Sequence, residues 1–186
     1  MKTIVFAGGG TGGHIFPGLA IIEIVQKTNP DINCVWLGSS GGIDRSLVES
    51  AGIPFYGIPA GKLRRYFSFR NFIDVFKIAV GFFCAVYRLS RLKPDLVFSK
   101  GGFVSVPPCY AARLLCIPVI THECDFTPGL ATRLNARVAK TILVSYEETS
   151  AYLSPAYRSR CVYTGNPVRQ VFYSGDPAVG RKFAGF

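Results

Sequence analysis

The sequence predicts an α/β fold, in which a Rossmann-like parallel sheet has helices on both faces. Short runs of β-branched and apolar residues alternate with longer segments of helical period, which is typical of βαβ units. A glycine-rich turn joins the first such run to the first helix, and further glycine or polar turns follow later runs. With 186 residues, 49% of them hydrophobic, the chain can bury the core of one large domain or, less readily, of two small ones.

The predicted elements alternate as strand and helix along the chain. Apolar runs predict strands at residues 2–7, 33–38, 54–59, 95–99, 118–123, 140–145 and 161–165. Helical periodicity predicts helices near residues 17–28, 43–52, 68–92, 104–116, 127–138 and 146–153. Pro17 suits the first turn of the first helix, and Thr127 before Pro128 suits the cap of the fifth. Residues 170–186 show little periodicity, which is typical of a linker.

Four loops with polar or glycine residues follow predicted strands. They are residues 8–14, 100–105, 121–125 and 165–169. In an open parallel sheet, ligands bind outside the carboxyl ends of the strands. The sequence therefore predicts one binding site, at this edge of the sheet.

The first loop, in "FAGGGTGGHIFPGLA", has the spacing G-x-G-x-x-G at Gly8, Gly10 and Gly13. A dinucleotide site also needs an acid at the end of the second strand, and no carboxylate occurs there before Asp44. The Walker pattern fails as well, because His14 stands where a lysine is required. We interpret the loop as a phosphate-binding turn at a helix N-terminus, with a tight turn that binds nothing as the alternative.

Two further loops add candidate residues. "SKGGFVSVPP" repeats the strand–glycine–helix arrangement and places Ser105 at the mouth of a helix, so that two glycine loops side by side could hold a diphosphate. "THECDFTPG" brings His122, Glu123 and Asp125 to a strand end. For His122 a structural hydrogen bond and a direct role both stay open at this point.

The positive charge is concentrated in one segment. The chain has a formal charge of +10, and residues 62–93 contain eight basic residues against Asp74 alone. Such a charge indicates an anionic partner. The helix predicted there has apolar residues around most of its circumference, which suits either a core helix or the surface of an anionic bilayer. The candidate membrane residues are Phe72, Phe76, Phe82, Phe83, Arg65 and Lys77.

Other features narrow the class of protein. The six cysteines are scattered without metal-ligand spacing, and we interpret them as reduced and the chain as cytosolic. No acidic pair has the pattern of a metal site, and no apolar run is long enough for a signal peptide core or a membrane span. A nucleic-acid interface is disfavoured, because the basic segment is interleaved with phenylalanine on a helix and not on a β platform.

Four motifs resemble a known family. "GGGTGGHIFPGLA", "KPDLVFSKGGFVSVPP", "THECDFTPGLATR" and "TGNPVR" are similar, in order and spacing, to the bacterial N-acetylglucosaminyltransferases that act on lipid I in peptidoglycan synthesis. The resemblance covers residues 3–169. It implies the N-terminal, acceptor-binding domain of a GT-B glycosyltransferase over residues 1–169, followed by the start of an interdomain linker at 170–186. A C-terminal donor domain would follow, and this half alone is expected to be inactive.

The resemblance also implies partners and a location. The partners are UDP-GlcNAc, lipid I and the anionic cytoplasmic surface of the bacterial cell membrane, on which the protein would be peripheral. No cofactor, metal ion or nucleic acid is expected. Alternatives are an acceptor subunit of another lipid-linked or natural-product glycosyltransferase, and a non-catalytic nucleotide-binding module.

Finally, the resemblance implies roles for single residues. The donor contacts would be Thr11, Gly12, Gly13, Asp125 and Arg169, and the acceptor diphosphate would lie on Gly10, Gly101, Gly102 and Ser105. Inversion at the sugar requires a base near the acceptor hydroxyl. His14 is the first candidate, followed by Glu123 and Asp125, the last standing where many family members have asparagine.

Overall fold

A computed structural model describes residues 2–61 and 70–185. It contains a seven-stranded sheet, whose strands are β1 (Thr3–Gly8), β2 (Asn33–Ser39), β3 (Phe55–Ile58), β4 (Leu96–Gly101), β5 (Val119–Glu123), β6 (Thr141–Val144) and β7 (Cys161–Tyr163). The helices are α1 (Gly12–Thr28), α2 (Asp44–Glu49), α3 (Arg70–Leu92), α4 (Val106–Leu114), α5 (Leu130–Asn135), α6 (Pro155–Arg158) and α7 (Pro177–Ala184). Short 3₁₀ turns occur at Phe103–Ser105, Glu147–Tyr152 and Gln170–Ser174.

The sheet is parallel throughout, with the strand order β3-β2-β1-β4-β5-β6-β7. β1 lies at the centre, where Val5 is in register with Val35 of β2 and with Val97 of β4. This order confirms the predicted Rossmann-like topology. Because β1 and β4 are neighbours, the glycine loops that follow them leave the sheet side by side.

Alternation along the strands divides the core into two layers. Val5 and Ala7 face α3 and α4 in one apolar cluster, whereas Phe6 faces α1 in the other. In the second layer the rings of Phe6 and Trp36 stack, with centroids 6.0 Å apart. The sheet is therefore covered on both faces, as expected for parallel strands.

Two predicted helix starts are wrong. α1 begins at Gly12, so that Pro17 lies inside the helix and not in its first turn. α5 begins only at Leu130, and Thr127 is not its cap. For α5 the cause lies in the loop before it, where the Glu123 carboxylate accepts hydrogen bonds from the N–H groups of Asp125 and Gly129. These bonds fix the intervening residues as a loop, which shortens the helix.

The C-terminal segment is more regular than its sequence suggested. α7 begins after Asp176, whose side chain accepts a hydrogen bond from the Ala178 N–H at 2.8 Å, and Pro177 occupies its first position. It ends at Gly185 in the left-handed conformation. The division into a domain of residues 1–169 and a linker stays a prediction. Within the part of the chain that the structure describes, no helix has the length and apolarity to cross a membrane.

Candidate functional site

The two glycine loops interlock at the carboxyl edge of the sheet. Gly102 has a φ of +75°, and a Cβ there would lie 2.6 Å from the Gly9 carbonyl oxygen and 2.8 Å from Cδ2 of His14. Gly10 has a φ of +85°, and a Cβ there would lie 2.6 Å from the Phe103 ring. Only glycine fits at these positions. The two loops therefore lie side by side as predicted, and this close contact requires that Gly10 and Gly102 have no side chain.

His14 lies between the two loops. It is half-buried in the first turn of α1, with its ring against Gly101 and Gly102. Burial lowers the pKa of His14 below its usual value, and the nearby Lys100 ammonium lowers it further. The negative charge of Glu123 and a hydrogen bond to the Lys100 backbone oppose the shift without cancelling it. At neutral pH the imidazole is therefore neutral and can accept a proton.

Asp44 anchors the first loop, a role that the sequence did not reveal. Its buried carboxylate accepts hydrogen bonds from the Gly10 N–H at 3.0 and 3.1 Å and from the Ser39 N–H at 3.0 Å. The Gly10 N–H is thus already used, so Gly10 contributes shape to a phosphate site and not a free donor. The available signal was that Asp44 is the first carboxylate after β2.

The residues of the first loop that are predicted to contact the sugar donor lie at its open end. Thr11 and Gly13 are exposed and Gly12 is half-buried, and the Thr11 side chain makes no capping hydrogen bond to the helix. The first N–H groups of a helix lack partners within the helix and carry partial positive charge. This segment can therefore meet an anionic group, although its contact with a donor stays a prediction.

Lys100 forms a buried polar cluster behind the loops. Its ammonium group is within 3.0 Å of His122 Nδ1 and also contacts the Cys124 thiol, which contacts Asn166 Oδ1 at 3.0 Å. His122 Nε2 lies 3.1 Å from the Gly165 carbonyl oxygen and therefore carries the ring proton. Burial, aided by Lys100, lowers the pKa of His122 to about 4. His122 is thus neutral and held at both ring nitrogens, which favours the structural role of the two that the sequence left open.

The two predicted carboxylates differ in accessibility. Both oxygens of the buried Glu123 are hydrogen-bonded, to the N–H groups of Asp125 and Gly129 at 3.0 and 3.1 Å. Glu123 therefore shapes the loop, and its candidacy as a base is not supported. Asp125 is exposed at the rim, near enough to influence His14.

Ser105 does not face the cleft, contrary to the prediction of a diphosphate contact. It is fully buried, its hydroxyl donates to the Gly102 carbonyl at 2.8 Å, and it accepts a bond from Asn135 Nδ2 at 2.8 Å. The same amide donates to Ser99 at 3.0 Å, and Ser99 in turn accepts from the Gly101 N–H. The Ser105 side chain thus supports the second loop from behind.

Arg169 also lies away from the predicted site. Its guanidinium is 4.0 Å from the Glu23 carboxylate, nearly three helical turns along α1 from the glycine loop. There it borders a separate cavity of about 360 Å³ against Phe16 and Leu47. The structure therefore does not bring Arg169 to the glycine loops.

A cleft of about 390 Å³ opens beside the loops. One wall is formed by His14 and backbone of the two loops, and the opposite wall is apolar. The lining residues are Gly9, Gly10, Thr11, His14, Gly61, Ile78, Gly102, Phe103, Val106, Leu130, Ala131 and Leu134. The cleft thus brings the His14 imidazole and the two glycine turns next to an apolar surface.

The predicted membrane residues divide into two groups. Phe76 and Phe83 are 73% and 69% exposed on α3, and Lys77 is exposed beside them. Phe82 is half-buried against the core and less accessible than Phe83, and its contact with a membrane stays a prediction. It lies one position round the helix from Phe83, which turns it toward α4. Arg65 and the side chain of Phe72 lie outside the described residues.

Within residues 2–61 and 70–185, no three His, Cys, Asp or Glu side chains are grouped closely enough to hold a metal ion. The fold and the site together define a class: a Rossmann-like domain with paired glycine loops and a basic side chain at the carboxyl edge of its sheet. Such an edge is where this fold binds phosphorylated ligands.

Comparison with known proteins identifies the family. The model of the glycosyltransferase family 28 N-terminal domain matches residues 4–144, and the chain belongs to this family. The chain aligns over 91% of its length with the crystal structure of Acinetobacter baumannii MurG, of which it covers 46%, with a TM-score of 0.73 and 32% identity. The predicted N-terminal domain of a GT-B glycosyltransferase is thereby confirmed.

Curated relatives are similar over nearly the whole chain. A Treponema denticola protein named UDP-N-acetylglucosamine–N-acetylmuramyl-(pentapeptide) pyrophosphoryl-undecaprenol N-acetylglucosamine transferase is 60% identical over 98% of this chain, which covers 49% of it. A Bacillus cereus transferase of the same name, numbered 2, is 46% identical over all of this chain, which covers 51% of it. The chain thus spans about half the length of these relatives.

Proposed function

We propose that this chain is the acceptor-binding half of an inverting glycosyltransferase. The reaction transfers GlcNAc from UDP-GlcNAc to the 4-hydroxyl of the MurNAc residue in lipid I, which yields lipid II for peptidoglycan synthesis. The observation that carries the proposal is the position of His14, a neutral imidazole between two glycine loops at the mouth of a cleft. The names of the similar transferases support the choice of donor and acceptor.

The geometry suits a single displacement. The acceptor hydroxyl attacks the anomeric carbon of GlcNAc as its proton passes to the free ring nitrogen of His14. The bond between that carbon and the UDP oxygen breaks, and UDP leaves with the electron pair. Backbone N–H groups at the start of α1 favour the negative charge that develops on the diphosphate. Lys100, buried behind the loops, helps to keep His14 in its basic form.

Replacing His14 in the longer protein that contains this chain tests the proposal. A general base contributes roughly 10²- to 10⁴-fold to a rate, so His14→Ala should lower kcat with a lipid I analogue by that order. Gln26→Ala, an exposed change on the same helix, is the matched control and should leave kcat unchanged. An unaltered kcat in His14→Ala would remove His14 from the chemistry. Loss of wild-type activity in EDTA would contradict the expectation that no metal is needed.

We further propose that the exposed apolar face of α3 binds the anionic cytoplasmic surface of the cell membrane peripherally. Large apolar side chains on this face are exposed to between 50% and 73%, namely Val75, Phe76, Val80, Phe83 and Tyr87. Apolar groups flanked by lysine and arginine are typical of helices that lie in a membrane interface. The basic residues of the segment 62–70 precede this face in the sequence.

Vesicle co-sedimentation tests this second proposal. Phe83→Glu should weaken binding to vesicles of phosphatidylglycerol and phosphatidylethanolamine by tenfold or more, because it places a carboxylate in the apolar contact. Leu114→Glu is the control, since Leu114 is 63% exposed at the far end of α4. Equal loss in both variants, or none in either, would argue against a specific α3 contact. Binding of a random oligonucleotide without vesicle binding would favour the nucleic-acid alternative.

A further inference from the structure

The glycine-loop cleft adjoins a second, apolar cavity. We propose that the two act as one groove between α3, α4 and α5, which holds the first isoprene units of the acceptor's polyprenyl chain on the protein. The inference rests on the proposed function, because it assigns a place to one part of that function's acceptor. It goes further in stating that hydrocarbon leaves the bilayer and enters the fold.

The position of the two cavities side by side is the first observation. The cleft beside His14 has a volume of about 390 Å³, and the second cavity has a volume of about 400 Å³. Three side chains line both of them, one from each helix: Ile78, Val106 and Leu134. The two cavities therefore meet at these three side chains, along which the proposed ligand would pass from the glycine loops.

The chemistry of the walls changes along the groove. Its inner end has the backbone of two glycine loops and His14, which suit a phosphate. Its outer part is lined by apolar side chains of α3 and α4, among them Val75, Phe82 and Pro107. Tyr110 also lines that part, but its hydroxyl is already hydrogen-bonded to the Leu134 carbonyl at 3.2 Å. The groove thus fits an anionic head followed by a hydrocarbon tail.

The outer end also indicates where the tail comes from. Phe83 and Val75 line this end and belong to the exposed face of α3 that is proposed to meet the membrane. A peptide segment would be a poor occupant, because its backbone N–H and C=O groups would find few partners on these walls. A polyprenyl chain has no such groups, and the similar transferases carry pyrophosphoryl-undecaprenol in their names.

The test compares ligands that differ only in their tails. Binding of inorganic pyrophosphate, geranyl diphosphate and farnesyl diphosphate to the detergent-free 186-residue chain is measured by calorimetry, and again with the longer protein. The groove predicts affinity that rises with chain length, with farnesyl diphosphate bound at least tenfold more tightly than pyrophosphate. Equal affinity for all three ligands would overturn the inference.

Two variants test tail binding in the groove without changing the exposed face of α3. Val106→Trp fills the shared section while keeping it apolar, and Ile78→Gln makes the same section polar. Both should abolish the preference for farnesyl diphosphate over pyrophosphate, and far-UV circular dichroism of each variant reports that it is folded. Ile24→Gln, an exposed change on α1, is the matched control and should retain the preference.

The outcomes distinguish this inference from the proposed function. If Val106→Trp and Ile78→Gln both retain the chain-length preference, the tail binds elsewhere and the inference fails, even if the longer protein transfers GlcNAc. If the preference is lost as expected but the longer protein shows no transfer, the groove stands and the proposed reaction fails. The binding measurement does not require the donor, so its result is independent of the transfer assay.

Discussion

At the scale of single residues, the site is organised by groups that are buried behind it. Asp44 fixes the first loop through the Gly10 N–H, and Asn135 with Ser105 supports the second. These contacts leave His14 as the basic side chain that faces the cleft from between the loops. The proposed role of His14 as a base therefore depends on neighbours that do not line the cleft.

Gly102→Ala should disturb this arrangement more than its size suggests. A methyl group at a φ of +75° is strained, and here it would meet the Gly9 carbonyl and the His14 ring. We expect the free energy of unfolding to fall by about 2 kcal/mol, measured by urea denaturation. In the longer protein kcat should fall as well, because His14 is displaced.

Gly41→Ala is the control for this change, since a Cβ there meets no atom within 4 Å. Its stability should stay within about 0.5 kcal/mol of wild type. Equal stability of the two alanine variants would show that the loops are not packed as closely as described.

His122 should make stability sensitive to acid. Its pKa is about 4 in the folded chain, whereas an unfolded histidine titrates near 6.5. Above pH 6.5 both states are neutral, so His122 adds no pH dependence. As the pH falls from about 6.5 to about 4, only the unfolded state takes the proton, and stability is lost. The loss should reach roughly 2.5 kcal/mol at pH 4.5.

The His122→Gln variant isolates the contribution of His122 to this loss of stability, because glutamine cannot take up the proton. Urea unfolding of both proteins at pH 7 and pH 4.5 should show a smaller acid loss for the variant. Parallel losses in the two proteins would mean that His122 is already charged, or solvated, in the folded chain.

At the scale of elements, α3 is positioned by two glycines whose lack of a side chain lets the backbone approach closely. A Cβ at Gly81 would lie 2.2 Å from the Pro59 carbonyl oxygen, and one at Gly61 would lie 2.1 Å from the Asp74 carbonyl oxygen. The helix therefore rests directly on the segment that follows β3. This close approach turns Ile78 toward the cleft while Phe76 and Phe83 stay exposed.

Gly81→Ala sets two effects against each other. Alanine favours a helix by about 1 kcal/mol over glycine. Overpacking against a backbone atom costs about 1–3 kcal/mol and here cannot be relieved by a rotamer change. We expect a net destabilisation of about 1 kcal/mol in urea unfolding. Ala79→Gly, at an exposed site on α3, measures the difference in helix propensity between alanine and glycine. A Gly81→Ala protein more stable than wild type would contradict the packing.

The strands were predicted well because each is a short apolar run bounded by turn residues, and this pattern is local. The position of α5 was not, because it depends on Glu123 binding the N–H of Gly129 six residues later. Likewise, Asp44 and Gly10 are 34 residues apart, and Lys100 and His122 are 22 apart. The glycine loops and His14 are contiguous in sequence and could be predicted, whereas their supports arise only from the tertiary fold.

At the scale of the whole molecule, the position of α3 relative to the cleft decides where a bound membrane would lie. α3 begins near the carboxyl edge of the sheet, where the glycine loops lie, so the apolar face and the cleft adjoin. The segment of residues 62–93 supplies seven of the ten net positive charges. A membrane bound by α3 would therefore lie beside the cleft that we propose receives the acceptor.

Salt should weaken membrane binding through this charge. A lysine near an anionic surface contributes about 1 kcal/mol, so Lys77→Gln should lower vesicle affinity roughly fivefold. Lys140→Gln, an exposed change beside the start of β6, is the matched control and should have little effect. Raising KCl tenfold from low salt should reduce wild-type binding and shrink the difference between the two variants, because the charges are screened. Co-sedimentation that is independent of salt and equal in both variants would show that the basic segment does not face the lipid, leaving the apolar face of α3 to act alone.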